Sequence, residues 1–89
     1  MSMTENRHIF SVTEITQGIK LLLSKQYSMV WVEGEISNFR PSSSGHWYFS
    51  LKDETSVLSG VIFSRSARDV PFKLEDGLKV ICFGSIDVY

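Results

Sequence analysis

Met29-Val30-Trp31-Val32-Glu33-Gly34-Glu35-Ile36-Ser37-Asn38-Phe39 is the stretch that decides the fold. Val30, Val32, Gly34 and Ile36 fall on one face; Trp31, Glu33 and Glu35 fall on the other. Successive side chains of an extended chain point to opposite sides, so this alternation reads as a half-buried strand. Gly34 stands mid-strand, where a glycine often marks a bend or bulge.

Upstream, the period is that of a helix. Ser11 and Glu14 have the spacing of a capping box, and Phe10 and Ile15 that of a hydrophobic staple. Val12, Ile15, Ile19, Leu22 and Leu23 form one apolar stripe, with Glu14, Gln17, Lys20 and Ser24 on the wet side. Gly18 costs about 1 kcal/mol relative to alanine, so the helix should rely on tertiary packing. It should end near Lys25. Residues 1–8 read as a loose lead-in, which leaves 9–89 as the domain.

Downstream, Arg40-Pro41-Ser42-Ser43-Ser44-Gly45 is a loop by composition. His46 to Lys52 alternates again, with Trp47, Phe49 and Leu51 inward and His46, Tyr48, Ser50 and Lys52 outward. Asp53-Glu54-Thr55 makes a turn. Val57 to Phe63 is a third strand whose facing stays open, because both of its faces are apolar. Ser64 to Phe72 is polar, contains Pro71 and has room for one helical turn. After the turn at Glu75-Asp76-Gly77, a fourth strand runs from Lys79 to Tyr89. A helix, a three-strand meander, a longer connection and a fourth strand suggest a mainly β sandwich or small barrel.

The 89 residues suit one small domain. With 43% hydrophobic and 21% charged residues, the chain is too apolar for a disordered tail. No apolar run reaches the roughly 18–20 residues that span a bilayer, and the polar N-terminus lacks an export signal core. Cys82 is the only cysteine, so there is no internal disulfide, and a reducing cytoplasm is the natural setting. The net charge of −1 runs against the basic balance usual in nucleic-acid-binding domains. Local arrangement nevertheless sets the field, and Arg65, Arg68 and Lys73 fall in one stretch. Any DNA binding should be modest and salt-sensitive.

The residues so placed resemble a known family. Ile9-Phe10-Ser11-Val12-Thr13-Glu14-Ile15 opens the likeness, and Trp31-Val32-Glu33-Gly34-Glu35-Ile36-Ser37-Asn38-Phe39 follows. Ser44-Gly45-His46-Trp47-Tyr48-Phe49-Ser50-Leu51-Lys52-Asp53 and Val61-Ile62-Phe63 complete it. In this order they resemble the N-terminal domain of the exodeoxyribonuclease VII large subunit, over nearly the whole chain from Ile9 to Tyr89. The resemblance implies an OB-fold, a five-stranded Greek-key barrel, here with an N-terminal helix and truncated before its last strand. It implies binding of single-stranded DNA and a parent hydrolase that degrades single strands. Its catalytic domain, and the region that assembles with the small subunit, would lie downstream of this chain. Two departures stand out. The family often has a basic residue directly after the phenylalanine matching Phe63, whereas here Ser64 intervenes before Arg65. Only four strands can be counted, so a free sheet edge is expected, and free edges recruit strands from a second copy.

An OB-fold meets its ligand with strands 2 and 3 and the flanking loops. Single strands need aromatic faces for bases and cations for phosphates. Phe63 and Tyr48 are the candidate stacking residues; the structural alternative is a packed phenylalanine and a surface tyrosine. Arg65, Arg68 and Lys52 are candidates for phosphates, against ordinary solvated charges. Phe39 and Arg40, with the Ser42–Gly45 loop, form a candidate rim. Trp47 belongs to the core by alternation, and Trp31 is read as structural, packing beneath the helix. His46 and His8 lack metal partners at ligand spacing. Glu33 and Glu35 share a strand face and, with Asp53 or Asp87, could hold magnesium for phosphodiester hydrolysis; a wet strand face is the plainer reading. Cys82 sits among apolar neighbours, which favours inert burial. No nucleophile or phosphate-loop motif appears, so neither a catalytic residue nor a cofactor is expected in this chain. Two other classes stay open: a protein-interaction module of the same barrel type, and a small hydrolase built on Glu33 and Glu35.

Overall fold

The computed structural model describes residues 7–89, so the expected lead-in lies outside the described residues except for Arg7 and His8. Helix α1 spans Val12–Gln26. Its start is fixed as the spacing predicts: Ser11 Oγ accepts from the Glu14 N–H at 3.0 Å, and the Glu14 carboxylate accepts from the Ser11 N–H at 2.9 Å. Two N–H groups that the helix leaves unpaired are thereby satisfied. The Tyr27 N–H donates to the Leu23 carbonyl at the other end. No residue of α1 is buried, and Val12, Ile15, Ile19 and Leu22 are exposed.

Four strands follow: β1 over Val30–Pro41, β2 over Trp47–Lys52, β3 over Val57–Ile62 and β4 over Lys79–Gly84. A single turn, α2, spans Ser64–Ala67 between β3 and β4. The sheet order is β3-β2-β1-β4. Three strands meander and the fourth returns beside the first, which is the order of a Greek key. The sheet is open and antiparallel, and with α1 it matches the mainly β architecture expected.

Two boundaries and the place of the bulge differ from expectation. β1 continues through Arg40 and Pro41, because a bulge inserts extra backbone between Ser37 and Arg40 and the pairing then resumes with Tyr48 and Trp47. The bulge is not at Gly34. It lies at Asn38, whose φ of 51° is a left-handed conformation that asparagine tolerates better than most residues. The Phe39 N–H freed by it donates to the Asp76 carboxylate at 2.9 Å. β4 stops at Gly84 rather than reaching Tyr89. The tail instead satisfies groups near the end of α1: the Ile86 N–H donates to the Tyr27 carbonyl, and Lys20 pairs with Asp87.

The chain divides into two compact units, one over Trp31–Cys82 and one formed by the N-terminal residues through Val30 with Phe83–Tyr89. The first holds the sheet and its core. Ile36 is fully buried, with Phe49, Leu51 and Leu74 around it and Val32, Trp47, Ile62, Leu78 and Val80 packed at the margin. A fully buried side chain such as Ile36 contributes about 1.5–3 kcal/mol by leaving water, and the half-buried ones less. The pairing of Phe49 with Gly60 and of Trp47 with Ile62 settles the facing of β3. Gly60 and Ile62 share the core side with Phe49, and Ser59 and Val61 face away.

Candidate nucleic-acid interface

The outward face of the sheet follows from the register. Arg40 pairs with Tyr48, and Tyr48 with Val61, so these three form one row across β1, β2 and β3. Ser37, Ser50 and Ser59 form the next row, and Glu35, Lys52 and Val57 the third. Phe63 continues the alternation one step beyond β3. Its backbone is still extended, at φ −68° and ψ 151°, so it points to the Tyr48 side. His46 lies across from it, with the two rings edge to face and 5.4 Å between centroids. This end of the face therefore carries His46, Phe63 and Tyr48 with Arg40 alongside. Phe63 is 61% exposed and Tyr48 39%, so both offer ring surface to a ligand.

The Phe63 corner is fixed from below. His46 Nδ1 accepts the Ser64 N–H at 2.9 Å, which puts the imidazole proton on Nε2 in the neutral ring. Gly45, at φ 91°, closes the tight loop before β2, and a Cβ there would stand 3.0 Å from the Ser64 Cβ. The loop holds itself: the Gly45 N–H donates to the Ser42 carbonyl, and the His46 N–H to Ser42 Oγ.

The cations are not equivalent. Lys52 lies 3.7 Å from the Glu35 carboxylate across the strands, so part of its charge is offset. Arg40 Nη1 donates to the carbonyl of Asn38 in its own strand. Arg65 and Arg68 make no side-chain hydrogen bond or ion pair among the described residues. They line a cleft with Gly45, Trp47, Ser64 and Ala67, beside the sheet face rather than on it. Phe39 parts from the group altogether: the bulge turns it to the core, where it packs edge to face on Trp47 at 5.5 Å.

The family whose sequence profile matches residues 10–89 is described as the OB-fold nucleic acid binding domain. The chain belongs to that family. The OB-fold domain is also 51% identical over 83 residues to the exodeoxyribonuclease 7 large subunit of Koribacter versatilis. Over all 89 residues it is 40% identical to the protein of the same name from Cronobacter sakazakii. These matches cover 93% and 100% of the chain but only 18% and 20% of the two relatives, so the chain spans about a fifth of their length.

Within this OB-fold domain three of the candidate carboxylates have partners of their own. Glu35 is paired with Lys52. Asp53 accepts the N–H groups of Thr55 and Ser56 in the β2–β3 turn, bonds that hold its carboxyl below the ordinary value of 3.8. Asp87 is held below the same value by Lys20. Among the described residues no three of His, Cys, Asp and Glu form a group that could hold a metal ion. Burial pushes the half-buried Cys82 thiol up, so little thiolate forms. Trp31 is 72% exposed. Among the described residues no helix is long and apolar enough to cross a membrane.

Sequence reasoning set His46 outward, Trp47 in the core and Gly45 in the rim loop, but did not join them to Phe63 and Ser64. The signal was present but conditional. Continuing the pairing of Trp47 with Ile62 by one residue sets His46 against Phe63, and that pairing depends on the four-residue turn that joins Lys52 to Val57.

Proposed function

We infer that this OB-fold domain engages single-stranded DNA and presents it to a nuclease domain outside the chain, within an exodeoxyribonuclease VII large subunit. One observation carries this above all: two exposed aromatic rings, Phe63 and Tyr48, share one outward face beside Arg40, with Arg65 and Arg68 unpaired next to it. Aromatic faces take bases of any sequence, and the cations follow the backbone. Phe63 and Tyr48 stack on bases, while Arg65, Arg68, Arg40 and Lys52 neutralise phosphates. Phe39 supports the rim through Trp47 rather than meeting DNA. The domain needs no cofactor for this role. The small subunit would join the parent protein through regions beyond this chain, and the assembly would work in the cytoplasm. The paired variant Phe63→Ala with Arg65→Ala tests the assignment: loss of single-strand binding in a folded protein supports it, and unchanged binding refutes it.

A second role has its own observation. β3 is an edge strand, and Val57-Leu58-Ser59-Gly60-Val61-Ile62 carries no charge to discourage pairing. Within the sheet of the described residues such an edge suits strand addition from a second copy. Light scattering on the concentrated protein tests the second copy, and a strict monomer would exclude it.

A further inference from the structure

The cleft at the start of β2 has a volume of ≈ 480 Å³ and is lined by Gly45, Trp47, Ser64, Arg65, Ala67 and Arg68. Its chemistry is one-sided. No carboxylate lines it. Among the described residues the two guanidinium groups, the Trp47 indole N–H and the Ser64 hydroxyl make no hydrogen bond or ion pair. Arg and the indole N–H can only donate, so their natural complement is an acceptor-rich anion. Arg65 and Arg68 are three residues apart in helical backbone, which places their side chains on neighbouring positions of one face. Guanidinium groups match the oxygens of a phosphate in geometry as well as in charge.

The frame is rigid. Ala67 is buried and Trp47 packs on the core, so the apolar wall is fixed. His46 Nδ1 pins the Ser64 N–H, and Gly45 lets the β1–β2 loop lie against Ser64 without a Cβ. Phe63 immediately precedes Ser64, so a strand whose base stacks on Phe63 has a phosphate within reach of the cleft.

We propose that this cleft is a phosphate-receiving subsite for one nucleotide, separate from the sheet face, in which Arg65 and Arg68 hold the phosphate oxygens and Trp47 donates its indole N–H. The proposal deepens the single-strand function and rests on it for the source of the phosphate. That phosphate is either an internal phosphodiester or a strand terminus, and both have the same oxygens to offer.

The test follows the indole N–H resonances of Trp47 and Trp31 by NMR in the 89-residue chain, assigned with Trp31→Phe. Thymidine monophosphate should shift the Trp47 resonance, while thymidine, which lacks the phosphate, should not. The variant with both Arg65→Ala and Arg68→Ala should weaken the shift about tenfold or more in nucleotide concentration, since two charge-assisted contacts are lost. Both arginines are exposed, so the variant should stay folded. The proposal is overturned if Trp47 ignores every phosphate-bearing probe, if thymidine shifts it equally, or if the shift survives in the double variant. Oligothymidylate with and without a terminal phosphate then separates the two sources. Equal shifts place an internal phosphodiester in the cleft, and a shift that needs the terminal phosphate places the end there. If thymidine monophosphate shifts Trp47 but no oligonucleotide binds, the subsite stands and the single-strand function fails. If oligonucleotides bind and Trp47 does not respond, the subsite alone fails.

Discussion

Replacing Phe63 and Tyr48 with alanine removes the two rings that this OB-fold offers to bases. Tyr48 lies across from Val61, and Phe63 is two residues further along the chain. Two residues along a strand and one strand across separate their backbones by about 8 Å, enough for each ring to take a different base. Stacking on an aromatic side chain is worth about 1–3 kcal/mol per base, or roughly 5- to 150-fold in affinity. Phe63 is the more exposed ring and should lie higher in that range than Tyr48, whose ring is partly covered. Sites this far apart act nearly independently, so the double variant should bind single strands on the order of a hundredfold more weakly. Phe63→Ala also loses the edge contact with His46, worth about 0.5–1.5 kcal/mol of stability, so binding must be measured well below the melting temperature. Fluorescence anisotropy with a labelled oligonucleotide reads the affinity, and circular dichroism confirms folding. A folded double variant with unchanged affinity would refute the stacking mechanism.

Three further outcomes follow from the geometry. Glu35→Gln frees Lys52 from its 3.7 Å partner and removes a negative charge from the face; single-strand affinity at low salt should rise about 1.5- to 5-fold by anisotropy, the range of an exposed ion pair. Gly60→Ala would set a Cβ 2.5 Å from the ring of the buried Phe49. Overpacking of this kind costs about 1–3 kcal/mol, so calorimetry should show melting lowered by roughly 5–20 °C. Asp53 titrates below 3.8 in the folded chain because the Thr55 and Ser56 N–H groups hold its carboxylate. That stabilisation is full above the unfolded value and is lost as pH falls through the lower folded one. Asp53→Asn should therefore flatten the decline of melting temperature between about pH 5 and about pH 2.

The helix start and the two alternating strands were legible because local chemistry fixes them: a capping box at Ser11 and Glu14, and a period of two through Ile36 and Phe49. The bulge was not, because it depends on Asn38 accepting a left-handed backbone and on Asp76, distant in sequence, receiving the Phe39 N–H. Without the bulge, Phe39 and Arg40 read as one rim; with it, one ring turns to the core and one cation stays outside. The site was legible by residue type and not by grouping. Tyr48 could be placed outward from alternation alone, whereas Phe63 needed the β2–β3 register, because both faces of its strand are apolar. His46 became their neighbour only once the β2–β3 register was known. Arg65 and Arg68 were separated from Lys52 by α2, whose single turn carries too little sequence signal to be located. The end of β4 was misjudged because Ser85, Ile86 and Asp87 alternate like a strand but are claimed by groups around the end of α1.

The central claim is best tested by anisotropy of a labelled single strand against the same sequence as duplex, at low and physiological salt. Arg65, Arg68, Arg40 and a partly offset Lys52 should together release two to four counterions, giving a log–log salt slope of roughly −1.5 to −3 for single strands. Saturable binding that favours the single strand over the duplex and falls with that slope is the predicted result. Equal binding of duplex and single strand, or no binding by the folded protein, would contradict it.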